Sequence, residues 1–351
     1  MTAEKVLIVG EFLPDRLGAS YERAFQTLGH EVVRFDIVAE RVALAWPARN
    51  RVLHRLTLGS LAARRTWSLR FNRRLLDLAR ESRVPWVFAH NGEWLMPETV
   101  QALQRHGKRV VIFHADNPFP PHYSNRPETL EAARQADLYL VWSEKLVEAL
   151  KREGVRAAFL AFGWDPEVFP YQHDVPQGSW PGVVFIGGWD REREAFLDEV
   201  AAHVPLRIYG PGYWGARARR NGRARACWQG HALAMAAAAR VVRESAICLN
   251  VLRTQHQIDG VPDGVIMRHF EVLGAGGFLV STRSGVATEL FPDRERAVYF
   301  RSVNECIVVC RRYINDAESR ALIVRQAHED VASNHTYRQR AREIIDILRH
   351  L

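Results

Sequence analysis

The sequence GVVFIGG at residues 182–188 restarts a pattern that has already run once along the chain. Like KVLIVG at residues 5–10, it is a continuous apolar run that ends in glycine, as expected of a strand covered on both faces of a parallel sheet. Each run opens a series of short apolar segments that alternate with amphipathic helical segments, which indicates an α/β fold. The repetition predicts two doubly wound, Rossmann-like domains facing each other across a cleft.

A segment with the composition of a linker separates the two series. Residues 165–182 contain four prolines and two glycines, which interrupt helices and strands. We expect an N-terminal domain over residues 1–170 and a C-terminal domain over residues 171–334, with a final helix at residues 335–351 packing back on the N-terminal domain. The predicted strands cover residues 5–10, 31–37, 86–91, 109–116 and 137–143 in the first series and residues 182–188, 206–212, 246–252, 276–282 and 297–300 in the second.

The composition is that of a globular protein. The 351 residues are 47% hydrophobic and 25% charged, which argues against a disordered, collagen-like or coiled-coil chain. No apolar stretch approaches the ~18 residues of a spanning helix, and the first residues predict a strand instead of an export signal. The four cysteines form no Cys-x-x-Cys pair, so we expect neither a disulfide framework nor a zinc ribbon and place the protein in the cytoplasm.

The net charge of +8 is concentrated in one segment. Residues 41–80 hold ten arginines and one acid, Asp77, interleaved with tryptophan, phenylalanine and leucine. Such a segment fits peripheral attachment to an anionic membrane surface or to an anionic acceptor. The alternative is a solvated helix face whose arginine stems cover apolar surface, and nucleic acid is the least favoured partner.

The richest candidate site lies within residues 259–292. Asp263 and Glu271 are eight positions apart, and on a helix that starts near Val265, Arg268 lies one turn before Glu271. A helix N-terminus and an arginine bind phosphate, and a carboxylate can accept hydrogen bonds from a ribose diol. The segment therefore predicts a site for a phosphorylated ligand that contains ribose.

This segment resembles the donor-binding segment of GT-B glycosyltransferases, above all that of the spore-maturation CgeB-like branch. The signature of that branch reads roughly Asn-Met-Arg-x-Phe-Glu-x-x-Ala-Cys-Gly-Gly, and residues 266–277 stand in its place with Ile266 replacing the asparagine. The likeness extends through residues 285–291 to His335-Thr336-Tyr337 and Arg340 near the end of the chain.

The resemblance implies a GT-B enzyme with the donor held by its C-terminal domain and the acceptor by its N-terminal domain. Glu271 would hold the nucleotide ribose, while Asp263, Gly264 and Val265 would face the transferred sugar and the diphosphate. The Asp263 and Glu271 pair is similar to the Glu-x7-Glu pair of related retaining transferases, which favours retention at the anomeric carbon. It also implies no cofactor beyond the nucleotide-sugar co-substrate and no divalent metal.

Glycines after the first apolar run of the second series are a further part of this candidate site. Gly187 and Gly188 would let a diphosphate approach the backbone closely. Arg191 or Arg193 would supply counter-charge. The alternative is an ordinary turn between a strand and a helix.

By the same resemblance, the nucleobase would sit on the backbone at residues 228–231, which follow the apolar run at residues 206–212. Gly230 would admit the base plane, and Tyr209 and Gly210 of that run belong to the same candidate site. A plain turn is an equal alternative here. The intervening residues 215–225 carry five arginines and no acid, and we expect a mobile surface loop.

Polar side chains follow two apolar runs of the N-terminal series. His114 and Asp116 could position a sugar hydroxyl or handle a proton near neutral pH; a histidine satisfied within its loop is the alternative. Were the reaction inverting, one of these two residues would be the base. Weaker candidates are residues 90–93 and residues 18–20.

These observations predict a glycosyltransferase that moves a sugar from a nucleotide-diphosphate sugar to an acceptor. The alternatives are a nucleotide-sugar epimerase of the same fold and a non-catalytic protein that binds nucleotide sugars. A dehydrogenase is disfavoured because no Gly-x-Gly-x-x-Gly follows the first strand.

Overall fold

The computed structural model describes residues 4–44, 61–92, 94–119, 127–253, 257–258 and 261–351. The chain forms two compact units. The first comprises residues 1–160 together with residues 338–351, and the second comprises residues 161–337. Within the described ranges, no helix combines the length and the apolar character needed to cross a membrane.

The first unit is built on a parallel sheet of six strands. Its order is β2-β1-β3-β4-β5-β6, so β2 and β3 lie on opposite sides of β1. The strand order therefore reverses between β1 and β3. The strands are β1 (Lys5–Gly10), β2 (Glu31–Asp36), β3 (Trp86–His90), β4 (Arg109–His114), β5 (Leu138–Val141) and β6 (Ala157–Phe159). The helices are α1 (Leu17–Thr27), α2 (Ile37–Leu44), α3 (Leu61–Glu81), α4 (Pro97–Arg105), α5 (Pro127–Gln135) and α6 (Glu144–Arg152).

The second unit contains a parallel sheet of five strands in the order β13-β12-β9-β7-β8, and a short antiparallel pair, β10 with β11. The strands are β7 (Trp180–Ile186), β8 (Leu206–Tyr209), β9 (Ser245–Asn250), β10 (Gln257–Ile258), β11 (Val261–Pro262), β12 (Leu279–Thr282) and β13 (Val298–Phe300). The helices are α7 (Arg191–Ala201), α8 (Tyr213–Arg217), α9 (Arg223–Cys227), α10 (Met235–Glu244), α11 (Met267–Gly274), α12 (Gly285–Leu290), α13 (Val303–Asn315) and α14 (Ala317–Asn334).

The last helix, α15 (Tyr337–His350), begins at the end of the second unit and belongs from Arg338 onward to the first. Its apolar residues Ile344 and Ile345 are fully buried. Arg349 near its end pairs with Glu4 beside β1, at 3.2 Å.

The predicted α/β class with two parallel sheets is confirmed, and each predicted strand has a counterpart that starts or ends within a few residues of it. The strands could be predicted because both faces of each sheet are buried, which makes each strand a near-continuous apolar run. Three short strands were not predicted, namely β6, β10 and β11.

The expectation of a loop at residues 215–225 was wrong, because this region contains helices α8 and α9. Acids of α7 pair with Arg219 of this region: its Nε lies 3.3 Å from Oε1 of Glu194, and its Nη2 contacts Oδ2 of Asp198. Trp214 and Ala224 are fully buried, which anchors the segment in the core of the second unit.

Candidate active site

The strand order of the second unit marks a point where its topology reverses. The chain passes from β7 to β8 on one side and then crosses to β9 on the other side of β7. Ligands of open parallel sheets bind outside the carboxyl ends of the strands at such a point. Gly187 and Gly188 follow β7 there, and residues 251–253 follow β9.

Arg193 ties these two strand ends together. Its buried guanidinium donates from Nε to the carbonyl oxygen of Val251 at 2.8 Å and from Nη1 to that of Gly188 at 3.3 Å. Burial lowers the pKa of this guanidinium to about 9; repulsion by Arg253 and Arg268 also lowers it, and Asp190 raises it. Arg191 or Arg193 was predicted as a phosphate ligand, and in the structure Arg193 is buried and makes these backbone contacts.

Arg191 and Arg253 lie near the same strand ends, with different surroundings. Arg191 is exposed at the start of α7. Arg253 is about one-third exposed, and its Nε lies 3.8 Å from Oδ2 of Asp190. A side-chain carbon on Gly188 would overlap Nη2 of Arg253 and would lie 2.6 Å from Oη of Tyr213. Sequence reasoning did not select Arg253 or Tyr213, because no motif connects them to Gly188.

The turn before α11 is held in place from another element. Asp263 and Val265 are buried, and Gly264 between them has a φ of +81°, a left-handed conformation that side chains rarely adopt. Oγ of Ser284 donates to the carbonyl oxygen of Gly264 at 2.6 Å and also accepts from the backbone of Ala287 at the start of α12. The turn is therefore fixed by its own glycine and by the N-cap of the next helix.

Helix α11 begins two residues later than expected and carries an internal ion pair. Nη1 of Arg268 lies 2.8 Å from Oε2 of Glu271, and the two side chains are 20% and 10% exposed. The first turn of this helix has no side-chain cap on its backbone donors. The ion pair therefore lies at the start of α11, beside backbone donors that no side chain caps.

His269, which stands at the variable position of the Met-Arg-x-Phe-Glu signature, lies in a buried polar network. Its Nδ1 is 3.1 Å from the carbonyl oxygen of Ile266 and its Nε2 is 3.2 Å from Oγ of Ser281, which also accepts from Asn250 at 2.9 Å. Burial lowers the pKa of His269 to about 4. A neutral imidazole that donates from Nδ1 and accepts at Nε2 satisfies both contacts. The network joins α11 to β9 and β12.

The candidate nucleobase region lies along β8. Residues 228–231 run beside the end of this strand: the backbone of Gln229 donates to Ile208 at 2.9 Å, and Gly210 donates to His231 at 3.0 Å. The rings of Tyr209 and His231 meet edge to face at 5.7 Å. Gly230 has a φ of +86° and open space where a side chain would project. A side-chain carbon on Gly210 would overlap the carbonyl oxygen of Gly187, so a glycine is needed here for the two backbone segments to pack closely.

In the first unit, His114 is fully buried at the end of β4. Its Nδ1 lies 2.6 Å from the carbonyl oxygen of Asn91 and 2.7 Å from Oη of Tyr139. Oδ1 of Asn91 in turn accepts from the backbone of Ala115 at 2.8 Å. Asp116 is partly buried, and its carbonyl oxygen is 3.4 Å from Nε1 of Trp142. The imidazole therefore holds the turns after β3 and β4 together.

His90 ends β3 beside Gly10, at the reversal point of the first sheet. Its ring lies 5.2 Å from that of Tyr21 and 5.3 Å from that of Phe88, and burial lowers its pKa to about 3. Gly18 touches the backbone of Glu11, where a side-chain carbon would collide with the carbonyl oxygen. Of the candidates at residues 90–93, Glu93 lies outside the described residues.

All four cysteines are free thiols. Burial raises the pKa of Cys248 to about 12, and Sγ of Cys306 lies 3.9 Å from Sγ of Cys310 inside α13. In the part of the chain that the structure describes, no three His, Cys, Asp or Glu side chains are grouped as ligands of a metal ion.

The arginine-rich segment is described only in part, because residues 45–60 and the side chains of residues 41–44 and 61–66 lie outside the description. Along the rest of α3, Arg70 and Arg73 are exposed next to Leu69, which is 51% exposed. Arg74 pairs with Glu40 at 2.5 Å.

The region around Arg193, Arg268 and Glu271 is similar in sequence to a known family. Residues 191–346 match the sequence profile of a glycosyl transferase-like family. The match spans less than half of the chain. It covers most of the second unit and reaches into the last helix of the first, and no curated protein sequence matches the chain closely enough to serve as a relative.

Solved structures are similar to the chain over its whole length, at low identity. HepE from Anabaena in complex with UDP-glucose has a TM-score of 0.62 and 15% identity, covering 99% of this chain and 100% of HepE. Sucrose-phosphate synthase from Thermosynechococcus elongatus has a TM-score of 0.64 and 11% identity, covering 99% and 98%. A glycosyltransferase from Rickettsia africae has a TM-score of 0.63 and 11% identity, again covering 99% and 98%. These likenesses show that the chain has the GT-B fold.

Proposed function

We propose that the protein is a glycosyltransferase that moves a sugar from a nucleotide-diphosphate sugar to an acceptor. The observation that carries this proposal is the Arg268–Glu271 ion pair, with side chains 20% and 10% exposed, at the start of α11, which has no side-chain cap. It lies inside the segment that matches the glycosyl transferase-like family, next to the glycine-held turn at residues 263–265. HepE, which shares the fold, is known in complex with UDP-glucose, and this supports a nucleotide sugar as the donor.

In this proposal the donor lies along the carboxyl edge of the second sheet. Glu271 accepts hydrogen bonds from the ribose diol, and Arg268 with the backbone donors of α11 neutralises the diphosphate. The turn formed by Asp263, Gly264 and Val265 faces the transferred sugar. The nucleobase occupies the region of Tyr209, Gly210 and Gly230, where the open side of Gly230 admits a flat ring.

The chemistry replaces one bond at the anomeric carbon by another. The bond from this carbon to the diphosphate oxygen breaks, a bond to an acceptor hydroxyl oxygen forms, and the acceptor proton passes to the leaving phosphate oxygen. We favour retention of configuration, because this route requires no dedicated base and because Asp263 and Glu271 keep the spacing of the retaining pair. Stabilising the departing diphosphate is then the main task of the protein.

The acceptor is assigned to the first unit, with His114 and Asp116 as the side chains nearest to the chemistry. The two hydrogen-bond contacts of His114 Nδ1 fix its imidazole ring, as a positioned polar group requires. We further propose that the enzyme is CgeB-like, works in the cytoplasm without a divalent metal, and meets an anionic membrane surface through its arginine-rich segment.

The decisive experiment is thermal unfolding of the full chain with a panel of nucleotide sugars, including UDP-glucose, with and without EDTA. A donor at 100 times its dissociation constant should add about 2.7 kcal/mol to the free energy of unfolding. The stabilising compound is then incubated with the protein alone and the products are identified. Slow hydrolysis to free sugar and nucleoside diphosphate supports a transferase, whereas conversion to an epimeric sugar indicates an epimerase. Absence of stabilisation by every nucleotide sugar would refute the donor site.

A further inference from the structure

The first segment of the second unit packs against both ends of α11. The chain leaves the first unit after Leu160. Trp164 then lies against the last residue of α11, where a side-chain carbon on Gly274 would overlap its ring. Phe169 lies against the other end of the helix, and the guanidinium carbon of Arg268 is over its ring, 5.9 Å from the centre. The helix that carries Arg268 therefore rests on residues 164–169 at both of its ends.

Phe169 is itself held firmly in place. The residue is only 1% exposed. Its backbone N–H donates to the carbonyl oxygen of Asp165 at 2.9 Å, and its own carbonyl oxygen accepts from Nε1 of Trp164 at 2.8 Å. Oδ1 of Asp165 also accepts from the backbone of Glu167 at 3.0 Å, which fixes the turn that leads to Phe169. A ring with so little freedom restrains any side chain that packs on it.

The contact with Phe169 uses none of the hydrogen-bond donors of Arg268. The N–H groups of a guanidinium lie in its plane, whereas an aromatic ring attracts the cation through the face of the ring. Nη1 of Arg268 lies 2.8 Å from Oε2 of Glu271, and the Arg268 side chain is 20% exposed, so a ligand can reach its guanidinium. The ring thus restrains the guanidinium without competing with an anion for its donors.

We propose that Phe169 is a positioning residue that holds the Arg268 guanidinium in the orientation in which it binds the diphosphate of the donor. This inference rests on the proposed function, since it takes Arg268 to be a ligand of the diphosphate. The physical reason is entropic: a free arginine side chain loses much rotational freedom when it binds a ligand, and one already restrained by packing loses less. Phe169 touches no substrate in this assignment and acts only through Arg268.

The test is a double-mutant cycle on the full chain that measures how strongly each variant prefers a nucleoside diphosphate over its nucleoside. Calorimetry with UDP, ADP and GDP identifies the diphosphate that the wild-type protein binds most tightly, and the matching nucleoside gives the reference. The variants are Phe169→Leu, Phe169→Met, Arg268→Gln and the combination of Phe169→Leu with Arg268→Gln. Phe278→Leu is the control, because Phe278 is also fully buried in the second unit but packs on Tyr313, with ring centres 4.8 Å apart.

We expect Arg268→Gln to reduce the preference for the diphosphate by about tenfold or more, because a charge-assisted hydrogen bond is lost. Phe169→Leu and Phe169→Met should each reduce it by about three- to tenfold, because both remove the ring that restrains the guanidinium. In the double variant the loss should equal that of Arg268→Gln alone, since no guanidinium is left to position. Phe278→Leu should lower the unfolding temperature, as Phe169→Leu does, and leave the preference unchanged.

Three results would overturn the role of Phe169 while leaving the proposed function intact. In the first, Phe169→Leu and Phe169→Met keep the preference within twofold of the wild-type protein. In the second, the loss in the double variant is the product of the two single losses, so that Phe169 acts independently of Arg268. In the third, Phe278→Leu reduces the preference as much as Phe169→Leu does. If Arg268→Gln leaves the preference unchanged, or if the wild-type protein binds none of the three diphosphates, the proposed donor site itself is refuted, and this inference with it.

Discussion

At the scale of single residues, the proposed donor site depends on two residues, Arg268 and Glu271, whose geometry one helix determines. Arg268 and Glu271 are three positions apart on α11, so the helix alone brings their side chains together. Exposed pairs at this spacing contribute little to stability. This pair is 20% and 10% exposed, and a buried charge without a partner is costly.

Replacing Arg268 and replacing Glu271 should have different effects on the use of the donor. Arg268→Ala removes the proposed charge-assisted phosphate contact and should lower kcat/KM ~30- to 150-fold. This loss corresponds to about 2–3 kcal/mol of transition-state stabilisation. Glu271→Ala should weaken binding of the nucleotide and, because Arg268 loses its ion pair, also lower the free energy of unfolding. Steady-state kinetics and calorimetry with UDP measure the two effects. The control is Arg240→Ala, which removes an exposed pair with Glu244 in the same unit. Wild-type affinity and turnover in both variants would contradict the donor-site assignment.

His114 provides a second prediction at this scale. If the donor sugar or the acceptor contacts this imidazole, His114→Ala should lower kcat by about 100-fold or more, with little change in the dissociation constant of the donor. Tyr139→Phe, which removes the hydroxyl 2.7 Å from Nδ1, should lower kcat less, because the contact with Asn91 remains. Turnover per folded molecule is the measurement, with the folded fraction taken from circular dichroism. A loss of stability alone, at full activity of the folded fraction, would make His114 a structural residue.

At the scale of elements, α3 presents a basic and partly apolar surface. Arg70 and Arg73 are exposed beside the exposed Leu69, while Phe71 and Leu75 are buried. The helix therefore has an inner face that packs on its unit and an outer face that carries positive charge. This division is compatible with both the membrane and the solvated-face interpretations.

A vesicle experiment separates the two interpretations. Each arginine near an anionic surface contributes about 1 kcal/mol, so replacing Arg70 and Arg73 with Gln should weaken binding to phosphatidylserine-containing vesicles by ~30-fold and reduce its dependence on salt. Hydrolysis of the donor without acceptor should not change. The control replaces Arg105 and Arg152, exposed arginines on α4 and α6, and should bind as the wild type does. If the wild-type protein does not bind such vesicles, the face is simply solvated.

At the scale of the whole molecule, each unit encloses a histidine that must stay neutral. His90 lies among aromatic rings in the first unit, and His269 lies in the polar network of the second. Burial lowers the pKa of His90 to about 3 and that of His269 to about 4. Below about pH 6.5 the unfolded chain binds protons at these imidazoles while the folded chain does not. The free energy of unfolding must therefore fall as the pH drops from about 6.5 towards these values.

Urea unfolding followed at pH 7 and pH 4.5 measures this dependence. For each histidine, every pH unit between its pKa in the unfolded chain and its pKa in the folded chain is worth about 1.4 kcal/mol. His269 alone should therefore contribute ~2–3 kcal/mol to the loss in the free energy of unfolding. His269→Asn should make the pH dependence shallower, whatever its effect on stability at pH 7. His231→Asn, at an exposed position, should leave the pH dependence unchanged. An unchanged slope in His269→Asn would show that this imidazole is protonated in the folded protein.

The sequence by itself determined the α/β class, the two series of strands and the Arg268–Glu271 pair. Each of these depends on neighbours within a few positions: apolar runs mark the strands, and spacing along one helix sets the pair. Gly264 and Gly188 were also found from the sequence, because glycine after a strand or before a helix indicates a special backbone.

Only the tertiary structure decided which side chains surround those glycines. Arg253 and Tyr213 meet at Gly188 because β9 and β8 flank β7, an order that no short stretch of sequence contains. In the same way, His114 reaches Asn91 and Tyr139 only because β3, β4 and β5 are neighbours in the first sheet. Local periodicity follows from the backbone geometry of a few residues, whereas contacts between distant residues follow from how strands are ordered and what their burial excludes from water.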